Sequence, residues 1–296
     1  MRAGKQNERK MKAMVYKWLT SRYLLMMVVA LVWAGCKETE KMAPCESDFF
    51  YDGSPFRQGE AETLLPSYNS GAEIPGVFSA PQGLVLKDTL TGEIDLAASA
   101  PGAYAVRKTM IGNPTCGNRI MLAYLSILPP PSLLSNADQA DGWGWAGNGF
   151  VDGEDKKEGQ ASIKTTADGG GNLLLLQHNV PTPLNTRVSK ELGELHLWFY
   201  ISDPSQFDQG AEIGQFELSS SGEPDKNELT WPIVMNGMGL SAGWNELVFK
   251  FKDASVTGGD PNLSAINFFR VYLFAKGDAT YPITIGLDDL KILAAE

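Results

Sequence analysis

The second half of this chain is written in short segments of period two, and that alternation constrains the fold more than any other feature. Leu195, Leu197, Phe199 and Ile201 fall on one side of a strand, with His196, Trp198 and Tyr200 on the other. Leu247, Phe249 and Phe251 alternate with Val248, Lys250 and Lys252, and Phe269, Val271 and Leu273 with Arg270, Tyr272 and Phe274. Ile283, Ile285 and Leu287 open a last strand that continues through Asp288-Asp289-Leu290-Lys291-Ile292. Gly, Pro and Asp clusters such as Gly222-Glu223-Pro224-Asp225 and Gly258-Gly259-Asp260-Pro261 punctuate these runs. Many short alternating strands between such turns predict an antiparallel sandwich or jelly roll. Upstream, Val85, Ile94, Leu96, Tyr104 and Val106 sit in similar Gly- and Pro-bounded runs, and no long stretch carries a helical period. The expected fold class is all-β, as two tandem β-sandwiches. The run from Met121 to Leu128 ends in Pro129-Pro130-Pro131-Ser132, stiff backbone that cannot pair within a sheet and suits a linker over 129–132.

The start of the chain carries an address. Lys12, Lys17 and Arg22 precede an apolar run from Tyr23 to Trp33, closed by Ala34-Gly35-Cys36. About a dozen apolar residues is the core length of a signal peptide, well short of the roughly 20 that span a bilayer. The ending resembles a lipobox, which implies a signal peptide over 1–35 and acylation of Cys36; an ordinary secretory signal cleaved nearby is the alternative. Trp33 stands where a lipobox usually has Leu. Lys37-Glu38-Thr39-Glu40-Lys41 is similar to the export signal of surface lipoproteins in glycan-foraging Gram-negative bacteria, and 36–44 reads as an acidic tether. The expected location is the outer membrane, lipid-anchored and facing the medium.

Charge excludes some partners. The 296 residues carry 25 Lys+Arg and 35 Asp+Glu; residues 1–35 hold seven of the former and one of the latter, so the remainder has a net charge of −16. Nucleic acid and anionic lipid surfaces are disfavoured, because their binding relies on basic side chains neutralising phosphates. The roughly 260 residues beyond the signal exceed one ordinary core and point to two domains, over 45–128 and 133–296. With Cys36 acylated, Cys45 and Cys116 remain, an even pair outside the cytoplasm. They read as a disulfide, contributing about 4 kcal/mol in the chain-entropy model, or as two buried thiols.

Two resemblances follow. Gly83-Leu84-Val85-Leu86, Thr91-Gly92-Glu93-Ile94-Asp95-Leu96 and Pro101-Gly102-Ala103-Tyr104-Ala105-Val106 resemble bacterial surface Ig-like domains, which implies a spacer or adhesive module. In such a unit Gly92 suits a hairpin turn, and Tyr104 packs its ring inward with its hydroxyl at the edge. Asp141-Gly142-Trp143, Glu158-Gly159-Gln160-Ala161-Ser162-Ile163-Lys164, Ala242-Gly243-Trp244-Asn245-Glu246-Leu247 and Ile285-Gly286-Leu287-Asp288-Asp289-Leu290 resemble galactose-binding-like jelly rolls, the carbohydrate-binding modules of secreted glycosidases. That fold also hosts purely structural units.

Sugar recognition needs aromatic faces for the C–H faces of pyranose rings and polar side chains for hydroxyls. His196, Trp198 and Tyr200, with Arg270 and Tyr272 if these share the face, compose a candidate glycan strip, or a face covered by loops. Trp145, in the Gly-rich Asp141–Gly149 segment, is a candidate loop platform ahead of Trp143, while Trp244 reads as a structural strand-entry residue. The resemblance implies no required cofactor, and for Asp138, Asp141 and Asp288 or Asp289 either one structural Ca²⁺ or an unoccupied, solvated acidic surface. An EF-hand reading of 136–142 fails for want of a closing Glu. Only His178 and His196 are present, without HExxH, P-loop or Gly-x-Ser-x-Gly. One enzyme reading survives, a jelly-roll polysaccharide lyase using His196, Tyr200, Arg270 and Tyr272. The expected function is non-catalytic binding of a polysaccharide or oligosaccharide by a surface lipoprotein, alongside other surface lipoproteins or a glycan importer. The alternative in another class is a structural or adhesive lipoprotein with a protein partner.

Overall fold

A computed structural model describes residues 48–60, 63–69, 75–110 and 118–295. The signal and tether, and with them Cys36 and Cys45, lie outside the described residues, as does Cys116.

Between residues 49 and 128 the described strands are β1 (Phe49–Phe50), β2 (Phe56–Arg57), β3 (Thr63–Leu64), β4 (Ser67–Tyr68), β5 (Val77–Ser79), β6 (Leu86–Asp88), β7 (Glu93–Asp95), β8 (Gly102–Thr109) and β9 (Ile120–Leu128). A four-stranded sheet in the order β2-β9-β8-β5 faces a three-stranded sheet β3-β7-β6, and β1 pairs with β4. Alternation decides which side chains enter the space between: Val106, Met121, Ala123, Leu125 and Ile127 meet Phe78, Ile94 and Leu96 there. Gly92 turns the β6–β7 hairpin at φ +77°, and the Phe78 ring occupies the place of a β-carbon. Tyr104 is buried and its hydroxyl donates to Ala100 O at 2.5 Å.

From residue 132 onward come β10 (Ser132–Ser135), β11 (Trp143–Ala146), β12 (Asn148–Asp152), β13 (Ser162–Ala167), β14 (Leu173–Leu184), β15 (Gly193–Ile201), β16 (Gly214–Ser219), β17 (Glu228–Ile233), β18 (Gly243–Lys250), β19 (Ser255–Thr257), β20 (Ile266–Phe274) and β21 (Ile283–Ala294), with a one-turn helix α1 (Met235–Met238). One sheet runs β12-β13-β21-β15-β18, with β10 also on β21; the other runs β11-β14-β20-β16-β17-β19. All these pairings are antiparallel. Leu195, Leu197, Phe199 and Ile201 of β15 meet Phe216 and Leu218 of β16 and Phe269, Val271 and Leu273 of β20 in the core. Phe199 and Phe216 bridge the sheets edge to face at 5.3 Å. Each such fully buried side chain contributes roughly 1.5–3 kcal/mol of transfer free energy. The chain is therefore all-β, with a sandwich core in each half.

The alternation slips in β21. Ile283, Ile285 and Leu287 point into the core, but the next inward residue is Leu290, three positions on. Asp289 stands at φ +44°, and the register on β15 slips between His196 and Trp198. This bulge absorbs the extra residue and leaves Asp288 on the outer face opposite Trp198. Between the halves, Ser132, the last residue of the expected 129–132 linker, lies in β10. Arg57 ties the junction: its Nη2 donates to Ala294 O at 3.0 Å and its Nη1 to Pro129 O at 3.4 Å.

Candidate functional site

The two sheets of the second sandwich each present one outer face. On the β15 face stand His196, Trp198 and Tyr200, with Trp244 from β18 opposite Tyr200. These rings are already engaged by the chain's own cations. Lys157 Nζ lies 4.2 Å from the Trp198 centroid, and Lys164 Nζ lies 4.3 Å from Tyr200 and 5.3 Å from Trp244. Such contacts contribute about 0.5–2 kcal/mol each. Lys164 is only 4% exposed and bridges Asp152 at 2.9 Å and Asp155 at 2.5 Å. Burial pushes both carboxyls up, but hydrogen bonds from Lys164, and for Asp155 from the Trp244 indole, outweigh it and hold them below the ordinary range. Gly286 makes room, because a β-carbon there would sit 2.7 Å from Lys164 Cγ. Trp244 is thus an outer-face residue pinned by Asp155, not a core one.

A strap over 157–161 crosses this face. Asp288 Oδ2 accepts the Lys157 and Glu158 N–H groups at 2.7 and 3.0 Å, and Asp138 Oδ1 accepts those of Gln160 and Ala161 at 2.5 and 2.8 Å. Burial raises the Asp288 carboxyl, opposed by these N–H bonds. These contacts bear on the acids of the expected Ca²⁺ set, Asp138, Asp141 and Asp288 or Asp289. Asp138 Oδ1 and Asp288 Oδ2 each accept two backbone N–H groups while Asp288 Oδ1 is buried without a hydrogen-bond partner among the described residues, Asp289 pairs with Lys291 at 2.7 Å, and Asp141 is exposed. Among the described residues these four do not form a group within ion-binding reach.

The β20 face is built differently. Cross-strand register sets Gln177, Arg270, Glu217 and Thr230 in one row and Leu175, Tyr272, Gln215 and Pro232 in the next, with Leu173 beside Phe274 beyond. Tyr272 and Phe274 meet edge to face at 5.9 Å, and Phe274 is 45% exposed. Arg270 lies beside them on the same strand, its Cζ 4.9 Å from the Tyr272 centroid. It makes a two-pronged bridge to Glu217, Nε to Oε2 at 2.5 Å and Nη2 to Oε1 at 2.7 Å, and reaches Asp225 at 3.4 Å. Burial raises the Glu217 carboxyl despite the guanidinium, and burial followed by Glu217 raises that of Glu228 to about 7.

The expected strip is therefore divided. His196, Trp198 and Tyr200 lie on one sheet, Arg270 and Tyr272 on the other, on opposite sides of the sandwich. This removes the lyase constellation, which needed His196, a tyrosine hydroxyl and Arg270 in one groove. His196 Nε2 instead contacts Glu194 at 3.0 Å. Trp145 lies at the edge, 38% exposed and stacked on the backbone of Gly149, where a β-carbon would stand 2.0 Å from its ring. Trp143 is buried against His178, ring centroids 4.8 Å apart. Phe274, Gln177, Gln215 and the acids Glu217 and Glu228 were not singled out from the sequence. Phe274 was legible as the next outward residue after Tyr272; the ion pair was not, since Glu217 and Arg270 are 53 positions apart.

Neither a family model nor a curated protein matches the chain. Solved structures that it resembles are carbohydrate-binding modules with a β-sandwich fold. One comes from work on the promiscuous specificity of such modules in the beta-sandwich super family, at 14% identity and TM-score 0.46, covering 83% of this chain and 98% of the other. A second is SGBP-B from a complex xyloglucan utilization locus in Bacteroides uniformis, at 11% identity and TM-score 0.35, covering 83% and 73%. A third is a carbohydrate-binding module specific for non-crystalline cellulose, at 14% identity and TM-score 0.34, covering 56% and 93%.

Proposed function

We propose that this protein binds a glycan without altering it, on the β20 face of its second sandwich, as a lipoprotein anchored through Cys36 at the cell surface. The observation that carries the reading is the Tyr272–Phe274 pair, Tyr272 half-buried and Phe274 exposed, flanked by the Gln177 and Gln215 amides. Flat apolar rings stack on pyranose C–H faces, and side-chain amides both donate to and accept from hydroxyls. The one cation among the described residues of these rows, Arg270, is spent on Glu217 and Asp225, so the rows themselves offer no free positive charge to a carboxylate or sulfate and suit a neutral glycan. The first sandwich, with its sheets of four and three strands, serves as an Ig-like spacer in this reading, and the partners are other surface lipoproteins or a glycan importer.

Affinity electrophoresis of the full chain on a panel of neutral and acidic polysaccharides tests it. Retardation by a neutral glycan, lost in Tyr272→Ala or Phe274→Ala and kept in Trp198→Ala, is the expected result. Retardation lost only in Trp198→Ala would move the site to the other face. A protein-binding role is favoured by a different observation: Ile120, Leu122 and Tyr124 form an exposed apolar row on β9, Tyr124 at 73%. No retardation on any gel by folded protein would shift the weight to that row.

A further inference from the structure

We infer that the β16–β17 hairpin holds a cation site of its own, in which Glu217, Asp225 and Glu228 bind a Ca²⁺ ion beside Arg270. One ligand oxygen from each of the three carboxylates lies within 4.8 Å of the others. That is the span of opposite ligands around Ca²⁺, whose oxygens stand about 2.3–2.6 Å from the metal. Mg²⁺ demands a tighter and more regular shell at about 2.1 Å and keeps several waters.

Proximity of acids alone would carry little. A second observation points to a ligand. Glu228 is fully buried, its Oε2 accepts the Asp225 N–H at 3.1 Å, and its Oε1 has no hydrogen-bond partner among the described residues. A buried carboxylate oxygen left without a donor costs several kcal/mol unless a proton or a cation meets it. Asn267 Oδ1 is also buried and unpartnered, on the amide that abuts Gly222 of the same hairpin loop.

The charge count agrees. Three carboxylates face one guanidinium, and both Glu217 oxygens already accept from Arg270. Two negative charges remain uncompensated in a site where two of the three acids are removed from water. A divalent cation brings the sum to zero, and each carboxylate retains lone pairs for it. The site is separate from the predicted Asp138–Asp288 region, which lies on the other sheet, and does not depend on any glycan bound nearby.

The test is calorimetric titration of Ca²⁺ into the full chain after EDTA treatment and buffer exchange, with Glu228→Gln alongside. Glu228→Gln keeps the shape and removes one charge, so it is expected to take up one equivalent fewer per chain while melting in EDTA no lower than the unsubstituted protein. The same number of equivalents in both proteins, or none in either, overturns the proposal. If Glu228→Gln melts lower in EDTA, Asp225→Asn, whose side chain is exposed, is judged on the same criterion. Mg²⁺ is expected to bind at least tenfold more weakly, and equal affinity would overturn the choice of ion.

Discussion

The two outer faces of the second sandwich carry similar residue types and opposite fates. Each has aromatic rings at alternate positions of a central strand and a cation beside them. On the β15 face the cations come from outside the strand, Lys157 from the strap and Lys164 from β13, and they settle on the rings of Trp198, Tyr200 and Trp244. On the β20 face the cation is Arg270 of the same strand, held by Glu217 and Asp225; its guanidinium also lies over the half-buried Tyr272 ring, and Phe274 beyond it is the ring that stays open. Aromatic composition does not by itself make a platform. The decisive quantity is whether the ring face is already occupied by the chain.

The comparison can be broken in five ways. Arg270→Ala leaves Glu217 buried and unpaired, and a loss of about 3–5 kcal/mol in urea denaturation is expected. Next is pH. Burial, followed by the Glu217 charge, lifts the Glu228 carboxyl from its ordinary 4.5 to about 7. Between those values the folded chain binds more protons than the unfolded one, so stability from this group falls as pH rises through the window. The cost of the charged form is absent below about pH 4.5 and complete above about pH 7, on the order of 3 kcal/mol. Denaturation in EDTA at pH 5 and pH 8 measures it; Glu228→Gln removes this part of the difference, and Ca²⁺ restores stability at pH 8.

Lys164→Ala strips the β15 face of its central cation and strands Asp152 and Asp155. Because both acids retain solvent contact, the expected loss is nearer 2 kcal/mol by denaturation, with glycan binding unchanged. Tyr272→Ala removes a stacking ring from the open face and is expected to weaken glycan binding about tenfold by calorimetry, roughly 1.4 kcal/mol. The smallest effect is Trp198→Ala, expected to alter affinity less than about twofold, within the ±0.5 kcal/mol typical of positions outside an interface. A large effect there would mean that the strap opens and the two faces exchange roles.

Much of this architecture was legible in the sequence. The inward sets of β15, β20 and the first half of β21 follow from period two alone, and the turns from Gly, Pro and Asp. Phe274 was readable in the same way. Whether Trp198 and Arg270 share a face stays open in the sequence, because alternation says which residues share one face of one strand, never which strands share a sheet. The strap contacts were hidden for a related reason: Asp138 and Asp288 face backbone N–H groups of a segment 20 and more residues from either. Nothing in their local text distinguishes a carboxylate that holds a loop from one that holds an ion. The bulge at Asp289 was equally invisible, since Asp288-Asp289 reads as ordinary strand polarity until the register on β15 is known.

By itself, the sequence determined that this chain is all-β and which side chains of each strand turn toward the core, because side-chain alternation is a property of the extended backbone and needs no partner. Only the tertiary structure decided which strands are neighbours, which rings are roofed and which acids converge. Those outcomes depend on backbone pairing between segments as much as 49 to 124 residues apart, whose N–H and C=O groups are alike in every strand and carry no local mark of their partner.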